Sequence, residues 1–324
     1  MSVYITTTIN STDHYVSNEF IHDIHMWDAK VEEVSNITSV IEYQYGGYMR
    51  PQYGSITFIP TLFKNDFPPP ETIESSIKVG DTESGAIQLC ESLCSLGLYD
   101  REIISYNAIG TAKQDYDSDN SFSGTLIDMF NWACDSSRLN YTLDTTHART
   151  PSPAISKTLS GDNLIVDMLS EASAYFSHYF YIEGNTLYLI DMFANTGSKT
   201  LSEFDYTPVS YQSSEDISLL TSGGYSILGS TPSGHQIDID PWHTAQSNIE
   251  SALQNIKISL EKDLITLELS HINNNIAIGN QVTFTDQSMI GDTTTTFIVT
   301  KINFNISVDD ERMIIEGRGI TTSI

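Results

Sequence analysis

The residues best equipped for chemistry lie in a few short runs. Asp115, Asp117 and Asp119 begin as a calcium loop does, with carboxylates at alternate positions. A helix–loop–helix calcium site then needs Gly at its sixth position and Glu at its twelfth. Asn120 and Leu126 stand there, so the three carboxylates read as a solvated, helix-capping loop. His22 and His25 are spaced i, i+3. A zinc-protease helix needs i, i+4 spacing to aim both imidazoles at one metal, and a Glu to activate water; both are absent. The densest ligand cluster is His235-Gln236-Ile237-Asp238-Ile239-Asp240-Pro241-Trp242-His243. On a strand Asp238 and Asp240 share one face and His235 the other. Metal binding would need His243 to fold back, so the two aspartates are expected to face solvent or a neighbouring subunit. Gly224-Tyr225-Ser226-Ile227-Leu228 puts Leu where a nucleophile elbow needs Gly. No phosphate loop occurs. The expectation is a protein with no catalytic residue, no cofactor and no metal.

The enzymatic alternative is a β-rich glycosidase or a glycan-binding surface protein, with carboxylates as acid and base and aromatic platforms for sugars. Three tryptophans, Trp27, Trp132 and Trp242, are few for a sugar cleft, and no pair stands out among 42 carboxylates.

Acidic residues outnumber basic ones 42 to 15, a formal charge of −27. Nucleic-acid affinity comes largely from Lys and Arg neutralising phosphates, so specific nucleic-acid binding is not expected. Such a surface keeps a subunit soluble. It would also make a lumen wall that DNA does not stick to. A hydrophobic content of 40% over 324 residues suits two or three folded domains. Cys90, Cys94 and Cys134 are too few for a disulfide framework and read as buried free thiols in a reducing compartment; Cys90 and Cys94 at i, i+4 would share a helix face. The start lacks a secretory-signal pattern, and no run reaches the about 18 apolar residues of a membrane span.

The elements that must position these residues are mostly strands. Residues 1 to about 115 read as β, with strands over 31–45, 55–59, 73–79 and 103–109. Residues 87–98 are ambiguous, because Leu89, Leu93 and Leu96 also suit a helix. The acidic run 115–120 is a boundary. Beyond it Leu126, Met129, Phe130 and Ala133 form one apolar helix stripe, capped by Asp119 or Ser121. A short strand over 139–143, a second helix over 162–174 capped by Ser160, and a hairpin of 179–182 with 186–190 follow. Residues 196–234 read as loops and short strands. A third helix spans 244–260 behind Pro241. Strands over 264–269, 281–285, 296–306 and 312–317 close the chain, with 308–311 as a turn.

In order and spacing these pieces resemble the tail hub proteins of bacteriophages. Gly46-Gly47-Tyr48-Met49-Arg50-Pro51-Gln52-Tyr53-Gly54-Ser55-Ile56 resembles the strand–turn–strand of the family's first barrel, and Tyr106-Asn107-Ala108-Ile109-Gly110 its last strand. The two helices and the hairpin resemble the inserted domain. Ile278-Gly279-Asn280-Gln281-Val282 resembles the family's Pro-Gly-Asp-x-Val turn, with Ile and Asn in place of Pro and Asp. Ile315-Glu316-Gly317-Arg318-Gly319 resembles the closing strand.

The resemblance implies a mainly β (α+β) fold. Two tail-tube-like β-barrel domains, 1–115 and 196–324, would flank a small α/β domain, 116–195. It implies a homotrimer that joins a hexameric tail tube or distal tail ring protein to a spike or fibre protein, with the tape-measure protein a further candidate partner. The place would be the tail tip or baseplate of a virion assembled in the host cytoplasm. Candidate interface or lumen residues are then Arg50, Asp115, Asp117, Asp119, Asp238 and Asp240.

Overall fold

The computed structural model describes residues 2–9, 12–17, 29–40, 53–59, 72–80, 87–97, 102–107, 121–159, 163–183, 185–202, 205–212, 216–271, 273, 275–286, 293–307 and 311–323. The N-terminal strands are β1 (Ser2–Ile9), β2 (Thr12–Ser17), β3 (Ala29–Val40), β4 (Tyr53–Ile59), β5 (Thr72–Gly80), β6 (Ile87–Gly97) and β7 (Glu102–Asn107). The middle of the chain holds β8 (Ser121–Thr125), α1 (Leu126–Cys134), β9 (Thr142–Asp144), β10 (Ala154–Thr158), α2 (Ile165–Tyr175), β11 (His178–Glu183) and β12 (Thr186–Asp191). Then come β13 (Ser198–Thr200), β14 (Tyr206–Gln212), β15 (Ile217–Ser222), β16 (Tyr225–Leu228), β17 (His235–Ile239) and α3 (Gln246–Leu260). The last strands are β18 (Leu264–Leu269), β19 (Gln281–Asp286), β20 (Thr293–Ser307) and β21 (Glu311–Ser323). The fold is mainly β with three helices among the described residues.

Among the described residues thirteen strands form one hydrogen-bonded sheet, eleven of them in the order β14-β18-β21-β20-β3-β2-β1-β5-β6-β7-β4. Strand β4 also pairs with β3, so the N-terminal pairings run in a closed circuit. In the C-terminal set β19 continues from β20, and β13 lies parallel to β19. The two sets share strands. The first half of β20 pairs with β19 and its second half, from Lys301 to Ser307, pairs with β3.

Two expectations need correction. Residues 87–97 are a strand held between β5 and β7, so Cys90 and Cys94 lie on no helix face. Residue 121 opens strand β8, which pairs with β10, and so does not cap α1. The cap is Thr125: its Oγ1 accepts from the Asp128 N–H at 3.2 Å, and its own N–H donates to Asp128 Oδ2 at 2.8 Å, a reciprocal capping box. The expected cap of α2, Ser160, lies outside the described residues. Helix α2 begins at Ile165 behind Leu164, which makes no side-chain cap bond.

The α/β unit has its own core. Leu126, Met129, Phe130 and Ala133 of α1 are fully buried, as their spacing requires. Phe130 meets Phe180 of the β11–β12 hairpin edge-on at 5.3 Å. Each such ring contributes about 2 kcal/mol by leaving water. Trp242 and Ala252, from far along the chain, join this core. The adjoining stripe of α3, Ile249, Leu253, Ile256 and Leu260, packs on Ile217 and Leu220 of the β15–β17 sheet. Helix α3 is therefore shared between two cores. Cys134 is a buried free thiol, and burial pushes its pKa up to about 11.

Candidate functional site

Strand β17 carries Asp238 outward, because its alternate residues Ile237 and Ile239 are drawn toward the α3 core; Asp240 follows the end of the strand. Asp238 is exposed, and its Oδ1 accepts from Thr221 Oγ1 on β15 at 2.6 Å. Asp240 is also exposed but is engaged in an ion pair with Lys157 of β10. The structure thus separates the two: one sits on an open sheet face, the other is tied to the α/β unit. His243 does not fold back toward them. Its Nδ1 accepts from the Ala245 N–H at 2.8 Å, and the Asn248 amide lies 3.0 Å from Nε2, so the ring serves the first turn of α3. Among the described residues no three His, Cys, Asp or Glu side chains converge on a metal position. Arg50, Asp115, Asp117, Asp119, His22 and His25 lie outside the described residues.

Lys157 anchors a joint. Its Nζ also donates to the Pro241 carbonyl at 3.2 Å and lies 5.2 Å from the centre of the Trp242 ring. The Ser156 N–H donates to the Trp242 carbonyl at 2.9 Å, so the segment before α3 is stitched to β10. Trp242 is 3% exposed. Trp132 is half-buried, with the Arg138 guanidinium 4.4 Å over its ring. Neither indole offers an open platform for a sugar. Glu171 of α2 lies close enough to Lys157 and Asp240 for their charges to act on it; desolvation, the larger influence, raises its pKa above the usual carboxylate range.

A second polar cluster was not foreseen. Arg149 grips Asp191 with two hydrogen bonds, Nε to Oδ2 at 2.7 Å and Nη2 to Oδ1 at 3.0 Å. Beside it His178 is buried, with Nδ1 2.9 Å from the Phe176 carbonyl and Nε2 accepting from the Arg149 N–H at 3.2 Å. That pattern fixes a neutral imidazole with its proton on Nδ1. Burial holds its pKa down to about 4. Both ring nitrogens are occupied by main chain, so this histidine cannot serve a nucleophile. The cluster clamps the loop after β9 onto the hairpin. Nothing in the spacing of residues 149, 178 and 191 announces it, since the fold alone brings them together.

The turn before β19 docks the C-terminal sheet on the α/β unit. Gly279 has φ +82, a conformation that favours glycine, and a Cβ there would fall 2.5 Å from Tyr179 Oη. The Gly279 N–H donates to the Val299 carbonyl at 2.9 Å, and its carbonyl accepts from the Thr196 N–H at 3.2 Å. Asn280 is buried; its Oδ1 accepts from the Ala277 N–H at 3.0 Å and its Nδ2 donates to Thr196 Oγ1 at 3.1 Å. The Asn280 side chain therefore closes the turn through its oxygen and ties it to Thr196 through its amide. The Tyr179 hydroxyl is buried without a hydrogen-bond partner.

No family model and no curated protein matches the sequence. Solved structures do match, over nearly the whole chain. The prophage MuSo2 43 kDa tail protein from Shewanella oneidensis aligns with a TM-score of 0.65 at 10% identity, covering 98% of each chain. A tail protein from Neisseria meningitidis MC58 aligns at 0.64 and 13% identity, covering 98% of this chain and 96% of the other. The E. coli c3393 protein, a type VI secretion component described as structurally similar to the T4 tail proteins gp27 and gp5, aligns at 0.57 and 7% identity, covering 91% and 74%. The chain is built on the fold of bacteriophage tail proteins.

Proposed function

We propose that this chain is a structural virion protein, the trimeric hub of a phage tail or baseplate. The observation that carries the reading is the length of the likeness, 98% of this chain and 98% of a prophage tail protein, through both strand sets and the α/β unit between them. The closed circuit from β3 through β1 and β7 back to β3 supports a first barrel. Contact between Tyr206 of β14 and Phe284 of β19, near opposite ends of the C-terminal run, supports a second. On this reading the domains are 1–115, 116–195 and 196–324. Three copies present six barrels to a hexameric tail tube or distal ring protein, hold a spike or fibre protein on the other face, and surround part of the DNA channel beside the tape-measure protein. The chain works at the tail tip after assembly in the host cytoplasm, and it is not an enzyme. Asp115, Asp117 and Asp119 face the lumen or a partner, and Arg50 makes an ion pair between rings.

Light scattering of the purified chain across a concentration series, with imaging of the heaviest species, tests this. A ring of about 108 kDa, three times the 36.0 kDa chain, with a central hole is the expected result. A monomer that stays monomeric and never enters tails in a complementation assay defeats it. Normal assembly by Arg50→Ala would remove that residue's role.

A further inference from the structure

The β15–β17 sheet has two faces with different fates. Leu220, Ser222, Ile227, Ile237 and Ile239 turn to the α3 core. On the other face Leu219 stands opposite Leu228 and Gln236, and Thr221 stands opposite Ser226 and Asp238. Ser226, Gln236 and Asp238 are exposed, and Leu228 is 75% exposed, well above any other large apolar side chain among the described residues.

The mount under Leu228 is stiff. The Gly229 N–H donates to Ser218 O at 2.9 Å, the Thr231 N–H to Ile217 O at 3.0 Å, and the Ser230 N–H to Glu261 Oε1 at 2.7 Å. Gly229 lies so close to β15 that a Cβ would fall 1.9 Å from the Ile217 carbonyl oxygen. An apolar side chain held this way loses little freedom on docking.

Charge selects the occupant. Asp238 is exposed on this face beside Leu219, and Asp216, also exposed, accepts from Thr231 Oγ1 in the loop that follows Leu228. Two copies meeting through this face would set Asp238 against like charge, which disfavours a self-complementary contact. The geometry points to a protein partner that offers an apolar pocket for Leu228 inside a rim of Lys and Arg. The inference rests on the tail reading, because it seeks that partner among the tail's other proteins.

The test measures binding of the purified full-length chain, and of Leu228→Asp, Leu228→Met and Asp238→Lys variants, to the purified tube, ring and spike proteins of the same tail at low and high salt. One of these binds the unmodified chain. Leu228→Asp weakens that binding by about tenfold or more, as loss of a central anchor does. Leu228→Met preserves it, and Asp238→Lys slows association and flattens its salt dependence. Unchanged melting and unchanged native mass show that the variants fold. Equal binding by all four chains, or no binding by the unmodified chain, overturns the proposal. So does a change of native mass in Leu228→Asp, which would make the face a contact between copies. The hub reading fails separately, on the native mass and imaging of the unmodified chain.

Discussion

The ring of Tyr206 meets that of Phe284 edge-on, 5.2 Å apart at 74°, although β14 and β19 are not paired. The Tyr206 hydroxyl donates to the Thr285 carbonyl, and Phe284 in turn meets Phe297 edge-on at 6.0 Å. The C-terminal sheet therefore curls until its edge strand touches the far side through side chains. The pairing of β14 with β18 shifts register after Pro208.

Removing the ring should open that contact. Tyr206→Ala is expected to cost about 3–5 kcal/mol in urea unfolding, as loss of a buried aromatic does, and Tyr206→Phe about 1 kcal/mol for the hydrogen bond. An alanine variant as stable as the parent would show that the curl does not depend on this side chain.

Gly279→Ala combines an unfavourable backbone conformation with a clash against Tyr179 Oη and Thr196. A loss of about 3 kcal/mol is expected from the two together. Tyr179→Phe alone should be neutral or slightly stabilising, because it deletes a buried hydroxyl that has no partner. The double variant should recover part of the glycine's loss, and simple additivity of the two effects would count against the clash.

Acid should loosen the clamp around His178. Its pKa in the folded chain, about 4, lies below the ordinary 6.5, mainly through burial; Asp191 opposes that shift and Arg149 adds to it. The unfolded chain therefore takes the proton first as pH falls. The group's contribution is whole above about pH 6.5, declines below it and is gone by about pH 4, some 3 kcal/mol in all. Melting temperatures measured from pH 7 to 4 should fall in the parent and less steeply in His178→Gln. Parallel profiles would rule out this histidine as the source.

Trp242→Ala should cost about 3–5 kcal/mol, because the indole belongs to the α/β core and also lies under Lys157. Hydrogen exchange at the Ser156 amide, which donates to the Trp242 carbonyl, should quicken more than exchange within β18 and β21. Uniform protection across both sites would mean the joint is held elsewhere.

Local signals were legible wherever neighbours in sequence are neighbours in space. The α1 stripe, the β11–β12 hairpin and β18 could be read within a few residues of their ends. Residues 87–97 were not, for a geometric reason. Leu89 and Leu93, like Cys90 and Cys94, are four apart, a spacing that keeps a face on a helix and also on a strand. Only pairing with β5 and β7 decides between the two. Strand β8, Ser-Phe-Ser-Gly-Thr, is nearly featureless alone and exists because β10 pairs with it. The Arg149–Asp191 grip spans 42 positions and was invisible for the same reason. Asp238 and Asp240 were singled out together, yet only pairing with β15 and the approach of Lys157 give them different surroundings.

The long strand β20 gives this architecture a mechanical consequence. One length of backbone is bonded to β19 over its first half and to β3 over its second, with β21 along its other edge throughout. Tension that slides the two strand sets past each other along that axis loads many hydrogen bonds at once, in shear, instead of peeling them singly. The strand acts as a common beam, so a push on one set displaces the other with little lag.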